Sequence, residues 1–216
     1  MKKTFCIGDV HGCYYTLVEL LSKIPSDSEI IFVGDLCDKG NFSKDVIQLI
    51  IDNNYLSVKG NHDDFITRYL FNALTHNRKN LWSDSDTFGG NKTILSYKND
   101  LENARKHIDY LNELPIYIMR GKYFITHGFG LPYFNKRDEF VLQFLSNRVE
   151  RPYPDWEDYS DLDIINIFGH TSFDEILQDD KFFGIDTGCV YGNKLSAFEL
   201  GTHQHISVDV DPRDIS

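Results

Sequence analysis

The sequence has no stretch approaching the roughly 20 consecutive apolar residues that a bilayer-spanning helix needs, so no membrane span is expected. Its four cysteines, Cys6, Cys13, Cys37 and Cys189, include no CxxC pair. A chain of 216 residues is large enough to build a core without disulfides, so reduced thiols and a cytoplasmic setting are expected. The apolar run behind Met1-Lys2-Lys3 stops at Gly8-Asp9, too short for the core of a secretory signal. Positive charge is scarce: 22 Lys and Arg stand against 33 Asp and Glu, a formal net charge of −11. Such a field repels a nucleic-acid backbone, which argues against nucleic-acid binding as the function. It also repels phosphorylated small molecules. A phosphate site here therefore needs strong local positive charge, which bound metal supplies. Internal repeats and low-complexity tracts are also lacking.

What is present is an ordinary globular composition, 41% hydrophobic and 25% charged, in an alternating pattern. Apolar runs at Thr4 to Ile7, Ile30 to Val33 and Leu56 to Val58 read as strands. Between and after them, Leu17, Leu20, Leu21 and Ile24, then Val46, Ile47, Ile50 and Ile51, then Phe65, Ile66, Tyr69 and Leu70 fall on helical faces. Strand–helix alternation predicts parallel or mixed pairing with crossover helices. Residues 75–115 break the rhythm and read as a mostly helical insertion in a single 1–216 domain, with Gly89-Gly90-Asn91 as a loop inside it. Short strands follow at Ile116 to Met119, Tyr123 to Thr126, Ile164 to Phe168, Phe182 to Ile185, Leu195 to Glu199 and Ile206 to Val208. The acidic stretch 152–163 reads as a solvated loop.

Five places share one pattern: an apolar strand ends and a metal-capable side chain follows at once. They are Gly8-Asp9-Val10-His11-Gly12, Gly34-Asp35, Gly60-Asn61-His62-Asp63, Thr126-His127-Gly128 and Gly169-His170-Thr171. In open α/β sheets, ligands bind beyond the carboxyl ends of strands, where such side chains converge. A single Gly-Asp or a single His in this position is usually structural. Five in one chain are not explained that way. Carboxylate, imidazole and amide oxygen without thiolate suit manganese, iron or zinc in a working site rather than structural zinc. An aspartate can bridge two ions, which predicts a dinuclear centre.

These motifs, with Asp38-Lys39-Gly40 and Ile185-Asp186-Thr187-Gly188, resemble the signature of the metallophosphoesterase superfamily, and more narrowly its phosphoprotein phosphatase branch. The resemblance runs from residue 5 to about 200. It implies an α/β fold, a four-layer sandwich of mixed sheets flanked by helices. It implies that Asp9 and His11 bind a first metal, that Asp35 bridges, and that Asn61, His127 and His170 bind a second. His62 would protonate the leaving group and Asp38 would orient it. A hydroxide shared by two divalent ions, manganese above all, would attack phosphorus directly. Lys39 stands where an arginine is usual in that branch, and Arg148 matches its second phosphate-binding arginine; both are expected to touch substrate.

Two substrate classes follow from the resemblance. Asp38 and the short span from His127 to His170 favour a bacterial or phage-type serine/threonine protein phosphatase. Asp63, where those enzymes often carry glutamate, favours a symmetrical dinucleoside tetraphosphate hydrolase. A scaffold that has lost catalysis would lack ligands, and none is missing. A monomer is expected. His76, His107, His203 and His205, in polar surroundings, are expected at the surface. Cys13 and Cys37 are expected to pack behind the ligands, Asp63 to support the site or a helix start, and Asp186 to support the site or a turn.

Overall fold

The computed structural model describes residues 2–76, 80–98, 100–149 and 162–216. The chain begins β1 (Thr4–Ile7), α1 (Tyr14–Ser22), β2 (Glu29–Phe32), α2 (Ser43–Asp52) and β3 (Leu56–Ser57), and runs into α3 (Asn61–His76). Next come α4 (Leu81–Asp84), α5 (Gly90–Tyr97) and α6 (Leu101–Glu113). The hairpin β4 (Tyr117–Arg120) and β5 (Tyr123–Thr126) follows, then α7 (Val141–Ser146), β6 (Ile165–Phe168), β7 (Leu177–Gln178) and β8 (Phe182–Gly184). The chain closes with β9 (Lys194–Glu199), β10 (His205–Asp209) and α8 (Pro212–Ile215).

Among the described residues the strands form two five-stranded mixed sheets, ordered β10-β9-β1-β2-β3 and β4-β5-β6-β8-β7. The parallel neighbours are β1–β2, β2–β3, β5–β6 and β6–β8. Their carboxyl ends therefore point the same way within each sheet. Alternation along each strand builds the layers. Phe5, Ile7, Ile30 and Phe32 face a helix-side core that includes Leu17, Val46, Ile66 and Leu111. Cys6, Ile31 and Val33 face the other way, onto Ile125, Ile167 and Phe183 of the second sheet. Phe168 and Phe182 cover the outer face of that sheet together with Phe129 and Leu131. Full burial of each such side chain contributes about 1.5–3 kcal/mol. The sandwich of mixed sheets flanked by helices is the fold expected from the sequence.

Three departures have physical reasons. Gly89-Gly90-Asn91 is not simply a loop: α5 begins at Gly90, behind a left-handed Gly89 at φ 71°. Turn-forming composition is overridden there by close packing, described below. His107 is fully buried, not exposed. Its Nδ1 lies 2.7 Å from Tyr97 Oη and its Nε2 lies 3.0 Å from Gln48 Oε1, so polar partners from two other helices satisfy it inside the core. The short α7, α8 and β7 were not anticipated. Of these, α8 has a structural use: Asp214 accepts the backbone N–H of Tyr15 and Thr16, capping an α1 whose own N-cap residue, Cys13, makes no side-chain cap. The expected acidic loop 152–163 lies outside the described residues except for Leu162 and Asp163.

Candidate active site

Each strand that was expected to end in a metal-capable side chain does so, and the ends converge. Asp9 and His11 follow β1; Asp35, Asp38 and Lys39 follow β2. Asn61 and His62 open α3 just beyond β3, His127 follows β5 and His170 follows β6. The site thus lies across the carboxyl ends of both sheets. Tight turns bring the side chains inward. Among the described non-glycine residues, eight have positive φ, and five of them are here: His11, Asp35, Asp38, Lys39 and His170. Such backbone costs on the order of 1–3 kcal/mol per residue and persists where surroundings hold it. Two glycines are required by contact. A Cβ on Gly60 would fall 2.2 Å from Asp35 Oδ1, and one on Gly169 would fall 2.0 Å from Asp9 Oδ1.

Two groups of potential ligand atoms meet at Asp35. His11, Asp35 and His62 form one, and Asp35, His127 and His170 form the other, with the ligand atoms of each within 4.8 Å of one another. His11 Nε2 is 3.5 Å from Asp35 Oδ2, and His127 Nε2 is 3.3 Å from Asp35 Oδ1. Asn61 Oδ1 lies 3.0 Å from His127 Nε2. The ring orientations are fixed from behind. His11 Nδ1–H donates to the Cys37 carbonyl at 2.7 Å, and His127 Nδ1–H donates to the Val33 carbonyl at 2.8 Å. Since carbonyls only accept, both rings turn Nε2 toward the centre. Asp9 is held by the His170 N–H, 3.1 Å from Oδ2.

Beside these groups, His62 Nδ1 lies 2.8 Å from Asp38 Oδ2. Lys39 Nζ lies 3.1 Å from His11 Nε2 and 5.2 Å from the centre of the Tyr191 ring. The exposed Arg148 and Lys39 line one cavity of about 200 Å³ with His11, Asp35, Asn61, His62 and His170. All ten residues singled out from the sequence are therefore in or directly behind one site. Asp63 supports it: its carboxylate accepts the N–H groups of Asp35, Leu36 and Gly60 at 3.0, 2.9 and 2.8 Å. Asp186 does both things foreseen for it, accepting the Gly188 N–H at 2.9 Å and lining the cavity. Cys13 and Cys37 are buried. Burial, then the Asp38 and Asp63 charges, push the Cys37 thiol well up.

The electrostatics suit cations. Burial, then the Asp186 charge, raise Asp9 well above the usual carboxylate range. Burial opposes ionisation of Asp35, yet the neighbouring His127 and His62 hold it well below that range. Burial likewise opposes protonation of His127, but the Asp35 and Asp9 carboxylates push it up to about 10. Burial, then His127, lower His170 to about 3; burial, then Lys39, lower His11 well below its usual value. His11 and His170 are thus held neutral, as nitrogen donors to a cation must be, whereas a cation at His127 would have to displace a proton. Asp63 is pushed up to about 6 by burial and then by the Asp35 charge.

Sequence reasoning missed the residues that hold the acids and loops. Trp82 and Thr93 donate to Asp38. Asn166, buried in β6, accepts the Gly130 and Leu131 N–H groups and donates to the Phe124 carbonyl, fixing the turn that carries His127. Only their residue types could have signalled this, since none belongs to a strand-end motif. His76, His203 and His205 are exposed, as expected.

The donor set fits divalent cations: nitrogen and oxygen only, buried or half-buried, with His11 and His127 turned inward by hydrogen bonds from behind and two glycines leaving room for the carboxylates. No described helix is long and apolar enough to cross a membrane. Comparison with known proteins agrees. Residues 2–206 match the calcineurin-like phosphoesterase family. The chain is 27% identical to a protein of Anoxybacillus flavithermus named bis(5'-nucleosyl)-tetraphosphatase PrpE (asymmetrical), over 94% of this chain and 92% of that one. It is 24% identical to a symmetrical bis(5'-nucleosyl)-tetraphosphatase of Methylobacillus flagellatus, over 98% and 96%. The solved structure of a cold-active protein-tyrosine phosphatase from a psychrophilic Shewanella superposes with a TM-score of 0.63 at 15% identity, covering 98% of this chain and 81% of that one, a likeness of fold. With metal-capable side chains gathered at strand ends and a family match over most of its length, the chain belongs to the calcineurin-like phosphoesterase family and is a phosphoester hydrolase.

Proposed function

We propose that this protein hydrolyses dinucleoside tetraphosphates with two divalent cations. Asp9, His11 and Asp35 would hold one, and Asp35, Asn61, His127 and His170 the other. The observation that carries the dinuclear reading is that two groups of potential ligand atoms share Asp35; the first holds His62, read here as the proton donor, and Asp9 would complete it in its place. Manganese, iron and zinc all suit the donors. Bound in pairs, such ions acidify a water and neutralise phosphoryl charge. The rest falls to side chains. His62 donates Nδ1–H to Asp38, which leaves Nε2 as the ring atom that would hand a proton to the leaving oxygen. Lys39 and Arg148 bind phosphate oxygens from the cavity wall.

The substrate class rests on the curated relatives, whose names favour tetraphosphates over phosphoproteins. This reverses the order of preference drawn from the sequence. Serine/threonine phosphatase activity stays as the second reading because of one observation: the His62–Asp38 pair at 2.8 Å serves a poor, alkoxide leaving group, whereas a departing phosphate needs protonation less. Parallel assays decide. The metal-loaded protein is expected to cleave diadenosine tetraphosphate with kcat/KM about 100-fold above that for a phosphothreonine peptide. The products, ATP plus AMP or two ADP, identify the bond broken. Equal or reversed kcat/KM values would establish the protein phosphatase instead.

A further inference from the structure

The helical segment 81–113 reaches the acid end of the site. The indole Nε1–H of Trp82 donates to Asp38 Oδ2 at 2.8 Å, the same oxygen that accepts from His62. The Thr93 hydroxyl donates to Asp38 Oδ1 at 2.6 Å. Asp38 is fully buried, Trp82 nearly so, and Thr93 fully so. Both carboxylate oxygens are thus committed, and the plane of the carboxylate is set from a part of the chain that supplies no strand-end ligand.

The approach of this segment is keyed by shape as well. A Cβ on Gly89 would fall 2.4 Å from the Lys39 backbone nitrogen, and Lys39 N–H donates to the Gly89 carbonyl at 3.2 Å. A Cβ on Gly90 would fall 2.4 Å from the Trp82 indole. Two adjacent glycines therefore let α5 close against the turn that carries Asp38 and Lys39. Thr93 also stands 3.0 Å from Ser43 Oγ, and both hydroxyls accept from the Asp38 N–H at 3.1 Å. Main chain and side chain of Asp38 are both held.

We infer that Trp82 and Thr93 are positioning residues for proton delivery, acting through Asp38 to aim the His62 imidazole at the leaving oxygen. The inference rests on the reading of His62 as proton donor. An acid aimed by a rigid partner matters most when the leaving group is basic. Loss of either donor therefore penalises poor leaving groups selectively. Substrate binding, which runs through Lys39 and Arg148, is untouched.

The test compares p-nitrophenyl phosphate, a good leaving group, with phenyl phosphate, a poor one, on the full-length metal-loaded protein. Trp82→Phe keeps the ring and loses the N–H; Thr93→Val keeps the shape and loses the hydroxyl. Each is expected to lower kcat on phenyl phosphate about tenfold more than on p-nitrophenyl phosphate, with KM unchanged. Thr93→Ser restores the loss. In an Asp38→Asn background, Trp82→Phe adds no further selectivity. Equal losses on both substrates, or Trp82→Phe adding its full selectivity in the Asp38→Asn background, would overturn the inference. If His62→Asn itself shows no selectivity, the proton-donor reading fails and takes the inference with it.

Discussion

Asp63 holds Asp35 by the main chain: its carboxylate Oδ2 accepts the Asp35 N–H at 3.0 Å, while the Asp35 side chain faces the ligand cluster. One buried acid thus fixes the backbone of another, together with Leu36 and Gly60. Replacing Asp63 with Ala strands three buried N–H groups. A loss of about 3 kcal/mol in stability is expected, with metal affinity about 10- to 100-fold weaker. Urea denaturation and manganese titration by calorimetry measure the two effects separately.

Gly60 tests the same turn from the other side. A methyl group there would lie 2.2 Å from Asp35 Oδ1. Gly60→Ala is expected to displace the Asp35 carboxylate and reduce activity by more than about 100-fold, while the far-ultraviolet circular dichroism stays native. Steady-state kinetics with excess manganese provide the check.

Lys39 gives a charge prediction. Burial works against its protonation, but the Asp35 carboxylate outweighs it and raises its pKa, so it is an ammonium at working pH. Lys39→Ala is expected to lower kcat/KM about 10- to 100-fold. Lys39→Arg should recover most of it, because guanidinium supplies the same charge with a two-pronged grip. Kinetics on one substrate across the three proteins are enough.

His107 predicts a pH dependence of stability far from the site. Burial, then Lys106, lower it to about 4 from an unfolded value near 6.5, so the fold prefers the neutral ring. Its stabilising contribution is complete above pH 6.5 and is lost as pH falls through about 4. At about pH 4.5 the loss amounts to roughly 2–3 kcal/mol. His107→Gln removes this part of the acid sensitivity. Urea melts of both proteins at neutral and acid pH measure it.

Much of this was legible in the sequence, for a definable reason. Metal-capable residues at strand ends sit beside glycines and behind apolar runs, so Asp9, Asp35, Asn61, His127 and His170 announce themselves locally. Period-two alternation likewise marks Phe5, Cys6 and Ile7 as facing opposite cores. What was not legible depends on partners distant in the chain. His107 looks polar beside Lys106 and Arg105, and the Tyr97 and Gln48 partners that satisfy it in the core come from other helices. Trp82 and Thr93 reach Asp38 across 44 and 55 positions. Gly89-Gly90 reads as a turn because its packing against Lys39 and Trp82 is tertiary.

The most direct test of the central claim, two cation sites joined at Asp35, is metal stoichiometry. Manganese titration of the metal-free protein, followed by calorimetry and by electron paramagnetic resonance, should give two ions per chain with spin coupling between them. Asp35→Ala should bind at most one, without coupling and without hydrolysis. Two uncoupled ions in the native protein, or an Asp35→Ala variant that keeps both ions and its activity, would contradict the account.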